Sequence, residues 1–391
     1  MKVALLTAGK DPHYARALAR ELRAKGIDVA FVGSDDLMPI QEGGPGRLEF
    51  HNLIGPQGGT LPAKVWRVLR YYGRLLRFAV RTDAQLFHIL WFRKLPVLER
   101  TVLNAFFRIL GKKLLFTAHN VDDRARDGKA AGMADRLSLT FLYRAVHHVF
   151  VHTERMKQEL LRQFRVPAQN ITVIPFGIND LIPPSSLSRA EAKHRCGFAA
   201  DERVVLFFGN IAPYKGLEDL VRAFADLARD GGRYTLLLAG HPKDRSCEPY
   251  WGGIEALIDE LGLGPRVRKE LGYIPDAQVG EIFRASDVSV LPYRRVYQSG
   301  VLALSYAQGV PAIVADVGSL KDDVIEGETG LVFRPGDVSD LASKLRDYFA
   351  ADLFADLDTR SRKIQEYGAE RFSWTRNADL TCAVYARTAG A

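Results

Sequence analysis

The sequence predicts an α/β protein made of two doubly wound, Rossmann-like domains in tandem. Three observations carry this. Short apolar runs alternate with amphipathic helical stretches in both halves, the βαβ rhythm of parallel sheets. One proline- and serine-rich stretch, Ile182–Ser188 (IPPSSLS), interrupts that rhythm near the middle. The 391 residues also exceed what one ordinary core organises.

The first half opens on a strand, Val3–Ala8. Pro12–Lys25 follows, with Tyr14, Ala17, Leu18 and Leu22 at helical spacing and a stop at Gly26. Strands are expected at Val29–Val32, Leu86–Leu90, Lys113–Thr117, His148–Val151 and Val173–Pro175. In the second half they are expected at Val204–Phe208, Tyr234–Ala239, Arg266–Leu271, Val288–Leu291, Ala312–Ala315 and Gly330–Phe333, with helices between. A last helix is read over Tyr367–Tyr385. Tandem sheets of this kind imply a cleft, with ligands at the carboxyl ends of strands.

Composition narrows the class. Cys196, Cys247 and Cys382 share no metal-ligand spacing, and an odd number without a framework points to a reducing compartment. Lys2 precedes only a short apolar run, which reads as a strand rather than a signal peptide. No run approaches the roughly 18 apolar residues of a membrane span. A cytoplasmic protein is expected. Its charge is uneven: residues 1–180 hold 28 Lys/Arg against 16 Asp/Glu, and the remainder 26 against 30. The basic half suits an anionic partner: nucleic acid, an anionic membrane or a phosphorylated substrate.

Two loops carry the chemistry. Gly209–Gly216 (GNIAPYKG) follows a strand and opens the helix Leu217–Arg229; Gln298–Pro311 (QSGVLALSYAQGVP) follows another and opens a helix around Val301–Ala307. Helix N-termini present unpaired N–H groups and the positive dipole end, which suit phosphate. Lysine at such an end opposes the dipole, so Lys215 points to an anion. Together the loops read as a diphosphate cradle, and so as a site for a nucleotide-linked substrate.

Further motifs follow in order: Leu238–Gly240 (LAG), Gly272–Ile274 (GYI), Ala285–Pro292 (ASDVSVLP), Gly309–Pro311 (GVP) and Asp316–Phe333. Weaker ones lie at Thr117–Asn120 (TAHN), Val149–Leu160 and Ile174–Asn179 (IPFGIN). The ordered set resembles the retaining, nucleotide-sugar-dependent glycosyltransferases of family 4, which have the GT-B fold. The resemblance is dense from 204 to 335 and spans most of the chain. It implies an acceptor domain over 1–183, a donor domain over 189–366 and a helical segment over 367–391 that crosses back to the first domain.

Residue by residue, the resemblance implies that Lys215 binds the donor diphosphate. Gly209 and Asn210 lie in the same loop, and Asn210 stands where the family often has arginine. Tyr273 and Ile274 match the loop that holds the nucleobase through backbone groups. His119 matches a histidine beside the transferred sugar. Gly9 and Lys10 match a first-strand loop that closes on the donor. The amides of Ser299, Gly300 and Val301 would meet phosphate without help from side chains. Two glutamates are common in the family at positions that here hold Val296 and Leu304; Gln298 is the candidate replacement for one of them. No metal and no cofactor beyond the donor is expected, since the cradle supplies the neutralising charge.

A separate feature is the stripe Lys64, Arg67, Arg70, Arg74, Arg77 and Arg81, at spacings that align on one helix face. It reads either as a solvated face or as a surface for anionic lipid or a lipid-linked acceptor. No nucleic-acid motif accompanies it, and no nucleic-acid partner is expected. His147, His148 and His152 are not expected to share a metal, because neighbouring strand residues face opposite ways.

The function expected is sugar transfer from a nucleoside diphosphate to a glycan or lipid-linked acceptor. Three alternatives stand beside it: an epimerase or hydrolase of sugar nucleotides on the same fold, a non-catalytic binding subunit, and a nucleic-acid-binding protein.

Overall fold

A computed structural model describes residues 1–34, 44–55, 61–122, 132–177 and 182–390. Two compact units emerge. The first is built from the described part of 1–177 together with 374–390, the second from 182–373.

The first unit holds seven parallel strands: β1 (Lys2–Leu6), β2 (Asp28–Gly33), β3 (Leu48–Asn52), β4 (Leu86–Ile89), β5 (Lys113–Ala118), β6 (His148–Val151) and β7 (Ile171–Val173). Their order across the sheet is 3-2-1-4-5-6-7. The second holds six: β8 (Arg203–Phe208), β9 (Tyr234–Gly240), β10 (Val267–Leu271), β11 (Val288–Leu291), β12 (Ala312–Ala315) and β13 (Gly330–Phe333), in the order 10-9-8-11-12-13. Both are Rossmann-like sheets, as expected. In each, the order reverses beside the first strand, between β1 and β4 and between β8 and β11. Such switch points leave an open crevice at the carboxyl ends of the two strands.

The central strands are legible because both faces are covered, so they read as continuous apolar runs. Val204, Val205, Leu206 and Phe207 are all buried. The helix Leu217–Ala228 packs on them through Leu217, Leu220, Val221, Phe224 and Leu227, none of which is exposed. Each such side chain contributes about 1.5–3 kcal/mol by leaving water.

Two elements differ from expectation. Strand β3 is extra. It lies at the sheet edge, only partly buried, and its Leu-Glu-Phe-His-Asn sequence has no continuous apolar run. The single helix expected over Tyr367–Tyr385 is two helices, Leu357–Arg371 and Trp374–Ala389. The break at Phe372 and Ser373 is where the chain leaves the second unit for the first. Trp374–Ala389 then becomes part of the first unit's core. Asn377 donates from Nδ2 to Pro175 O at 2.8 Å, Tyr385 meets His88 Nδ1 at 2.6 Å, and Trp374 packs where Gly177 leaves no room for a Cβ.

Candidate active site

In the second unit the site forms at the switch point between β8 and β11. Strand β8 ends at Phe208, and Gly209 turns the chain with φ of 99°. Asn210 is exposed beyond it. Ile211 donates to His241 O at 2.7 Å, which holds the loop against the end of β9. A short turn, Pro213–Lys215, leads to Gly216 and into the helix Leu217–Ala228.

Lys215 is 7% exposed, and its side chain folds back toward β8. Its ammonium lies 5.0 Å from the ring centre of Tyr293 and 5.8 Å from that of Phe207, a cation–π setting. A Cβ on Gly209 would lie 3.3 Å from Lys215 Nζ and 3.4 Å from Val301 Cγ2. Lys215, Gly209 and the start of the helix Gly300–Ala307 therefore converge.

The second loop is joined to the first by direct bonds. Arg294 N donates to Tyr214 O at 2.8 Å. The Arg294 guanidinium grips Asp219 with two bonds, at 2.8 and 3.1 Å, and Glu218 at 2.7 Å. Arg294 thus spends its charge on acids of the helix Leu217–Ala228. Ser299 precedes the helix Gly300–Ala307; its side chain makes no capping bond. The amides at this end have no partner within the helix, as at any helix start. Gln298 carries a buried side-chain oxygen without a hydrogen-bond partner, and such an atom favours a ligand that can donate. Leu304 is in the core, and Val296 packs on its edge. Tyr273 and Ile274 follow β10: Tyr273 is 77% exposed, and Ile274 packs against the cluster that holds Leu304.

In the first unit the switch point lies between β1 and β4. After β1 the backbone is left-handed at Ala8, Gly9 and Asp11. Two of these are not glycine, so the loop stores strain of the kind concentrated at binding sites. Arg93 Nη1 donates to Ala8 O at 3.3 Å, and Gly9 N to Thr7 Oγ1 at 3.2 Å. Lys10 is exposed.

His119 follows β5. Its ring stacks on Trp91 at 4.3 Å with planes 1° apart, and meets the Tyr14 ring edge-on at 4.7 Å. His152 Nε2 lies 3.3 Å from His119 Nδ1, and His152 Nδ1 lies 3.4 Å from Ile174 O. This chain assigns the protons. A carbonyl only accepts, so His152 Nδ1 carries the hydrogen and its Nε2 accepts. His119 Nδ1 then donates, which leaves His119 Nε2 with a free lone pair. That atom is buried and has no partner. It can accept a hydrogen bond from a hydroxyl. Burial, reinforced by His152, holds His119 well below the ordinary histidine range, so the ring is neutral at pH 7.

Trp91 escapes the sequence reading, which names Tyr14 and His152 without placing them beside His119. They become neighbours only through the sheet order, which sets the ends of β4, β5 and β6 side by side. The one signal for Trp91 is that it directly follows a strand. His147 and His148 are structural: His147 Nδ1 accepts from Leu114 N, and His148 Nε2 pairs with Thr172. Asp356–Leu357–Asp358 has a spacing seen at metal sites, yet Asp358 pairs with Arg189 and Arg284. Among the described residues no cluster of three His, Cys, Asp or Glu could hold a metal. Of the basic stripe, Arg70, Arg77 and Arg81 are exposed, Arg67 and Arg74 half-buried, and the Lys64 side chain lies outside the described residues.

Burial also pushes His88 down to about 3 and His152 to about 4. Both are neutral in the folded state and protonate at about 6.5 once unfolded. Between those values the unfolded state binds more protons, so stability falls with pH from about 6.5 toward 4. Each contributes a loss of about 1.4 kcal/mol per pH unit. Thermal unfolding of the first unit should shift down steeply between pH 7 and pH 5; an unchanged midpoint would contradict this account.

Two family models match the chain, one to each unit. Residues 188–371 match the family model described as "Glycosyl transferases group 1", and residues 13–180 match "Glycosyltransferase Family 4". The D-inositol 3-phosphate glycosyltransferase of Nocardia farcinica is 29% identical over 394 residues, covering 95% of this chain and 83% of that one. The protein of the same name from Streptomyces scabiei is 30% identical over 256 residues, but the match spans only 55% of its length and 63% of this chain. Sucrose-phosphate synthase from Thermosynechococcus elongatus superposes with a TM-score of 0.77 at 24% identity, covering 99% of this chain and 98% of that one. The Anabaena protein HepE, solved with UDP-glucose, gives 0.74 at 18%, covering 99% and 100%.

Proposed function

We propose that this chain, which belongs to the GT-B glycosyltransferases of family 4, moves a sugar from a nucleoside diphosphate to an acceptor with retention of configuration. The observation that carries this reading is the convergence of Lys215, Gly209 and the helix start at Ser299–Val301. A buried ammonium faces the end of β8, beside a helix N-terminus. Negative charge grows on the diphosphate as the sugar–oxygen bond breaks, and preorganised donors stabilise it most at that moment. The acceptor hydroxyl attacks the anomeric carbon on the face the diphosphate leaves, and its proton passes to a phosphate oxygen. His119, neutral and with Nε2 free to accept, would hold a hydroxyl of the transferred sugar. Gln298 would do the same for the donor in the second unit. Tyr273 and Ile274 would hold the base, and Gly9 and Lys10 would close on the donor. We expect no metal requirement, because Lys215 and the amides carry the positive charge. The D-inositol 3-phosphate glycosyltransferases among the relatives and the UDP-glucose bound to HepE support a nucleotide-sugar donor. We place the acceptor, a lipid-linked glycan, on the basic first unit.

The test is thermal unfolding of the pure protein with UDP, GDP and ADP and their sugar conjugates, with and without EDTA. A ligand at about 100 times its dissociation constant adds about 2.7 kcal/mol. One diphosphate should raise the midpoint, unaffected by EDTA. No shift with any nucleotide would sink the transfer reading and favour a binding subunit. Consumption of the sugar nucleotide without acceptor, at the full rate, would favour an epimerase or hydrolase.

A further inference from the structure

The helix Leu61–Arg81 lays one side on the first unit through Tyr71, Leu75, Phe78 and Ala79, all buried. Its outward side, followed at about 100° per residue, divides lengthwise. One strip is apolar: Val65, Leu69, Leu76 and Val80 are exposed. Trp66 stands at the boundary, 66% exposed. The neighbouring strip is basic, with Arg70, Arg77 and Arg81 in the open and Arg67 and Arg74 on its flank. The helix contains no acidic residue. A solvated helix would turn polar groups outward, so the fold does not account for the apolar strip.

The apolar surface continues beyond this helix. Tyr72, beside the strip, donates its hydroxyl to Glu99. Around that carboxylate Leu95, Val97, Leu98 and Val102 are exposed. The helix Met133–Ala145 packs on this segment and exposes Met133 and Leu137. Scattered apolar residues need no explanation, but a continuous patch marks an interaction surface.

We infer that this face seats the first unit on an anionic lipid bilayer. Charge complementarity selects that occupant. Apolar side chains enter the headgroup boundary, while arginines alongside reach the phosphates at the same depth. A second copy of the chain would cover the apolar strip and leave the arginines unused. A nucleic acid would use the arginines and leave the apolar strip in water. The bilayer engages both. Among the described residues no helix is long and apolar enough to cross a membrane, so the contact lies in the interfacial plane.

The experiment is sedimentation of the full chain with phosphatidylcholine vesicles and with vesicles containing one third phosphatidylglycerol. Binding to the second and not the first is expected. Trp66 supplies a direct readout: Trp251 and Trp374 are buried and Trp91 is stacked on His119. Emission should shift to the blue on anionic vesicles, and the shift should vanish in Trp66→Phe. Each basic residue strengthens such binding about fivefold, so Arg70→Glu with Arg77→Glu should weaken partitioning on the order of 100-fold. Leu69→Asn should weaken it too. Each variant is first checked for an unchanged unfolding midpoint. The inference is overturned by absence of binding to either vesicle, by equal binding to both, or by wild-type binding of the double charge reversal. It is also overturned by a dimer that Leu69→Asn dissolves. Vesicle binding needs no nucleotide, so its failure would leave the transfer chemistry standing.

Discussion

Lys215→Ala lowers kcat/KM for sugar transfer by about 100- to 1000-fold, the size expected when one preorganised group facing developing charge is removed. The loss falls mainly on kcat, because the ammonium is worth most when the diphosphate departs. Lys215 is 7% exposed, between the rings of Phe207 and Tyr293, so the unfolding midpoint of the variant is measured beside its rate, and a loss of rate at an unchanged midpoint belongs to the chemistry. Lys215→Arg restores little, because the larger guanidinium meets the Gly209 turn, where Nζ now fits. Single-turnover kinetics beside a thermal scan measures both. A variant with near-normal kcat would remove Lys215 from the chemistry.

Gly216→Ala has the second large effect, on stability and donor affinity together. Gly216 has φ of 62°, where a Cβ costs about 1–2 kcal/mol. Its Cβ would also lie 2.2 Å from Pro292 O, a backbone atom that cannot swing away. Pro292 must move, and with it the bond from Arg294 N to Tyr214 O that joins the two loops. A total of about 3–5 kcal/mol is expected, which lowers the midpoint of the second unit by about 10 °C or more. Gly262→Ala isolates the contact from the backbone angle. Gly262 has φ of 64° and nothing within 4 Å of an added Cβ, so it should cost only the smaller, angular part. Equal losses at the two positions would show that the loops are not held together at Pro292.

The sequence is most legible where structure is local. The strand Val204–Phe208, the glycine turn after it and the helix beyond are three consecutive segments, each with its own pattern. The two loops of the candidate site follow from such patterns. The loop-to-loop clamp was not legible, because Arg294 and Asp219 are 75 positions apart and neither belongs to a motif. The His119 setting was hidden for the same reason. Tyr14, Trp91 and His152 come from three other strand–helix segments, and only the order 3-2-1-4-5-6-7 brings them together. In the basic helix the arginine row was readable from spacing. Which apolar residues face outward was not: Ala79 turned out to be buried and Trp66, Leu69 and Leu76 exposed, an outcome set by where the helix lies on the sheet.

The last helix bears on how the protein is made. Residues 374–389 fill the first unit: Asn377, Ala378, Thr381 and Tyr385 are wholly enclosed, and Lys25 reaches Asp379. During synthesis, residues 1–177 emerge with that space unfilled and must wait for some two hundred more to follow. The second unit is continuous over 182–373 and needs no residue from beyond them. The first unit thus depends on residues made after the second, whereas in the usual order the leading domain folds before the trailing one. A fragment ending at residue 373 would hold a complete second unit and an open first one, its apolar interior available to chaperones.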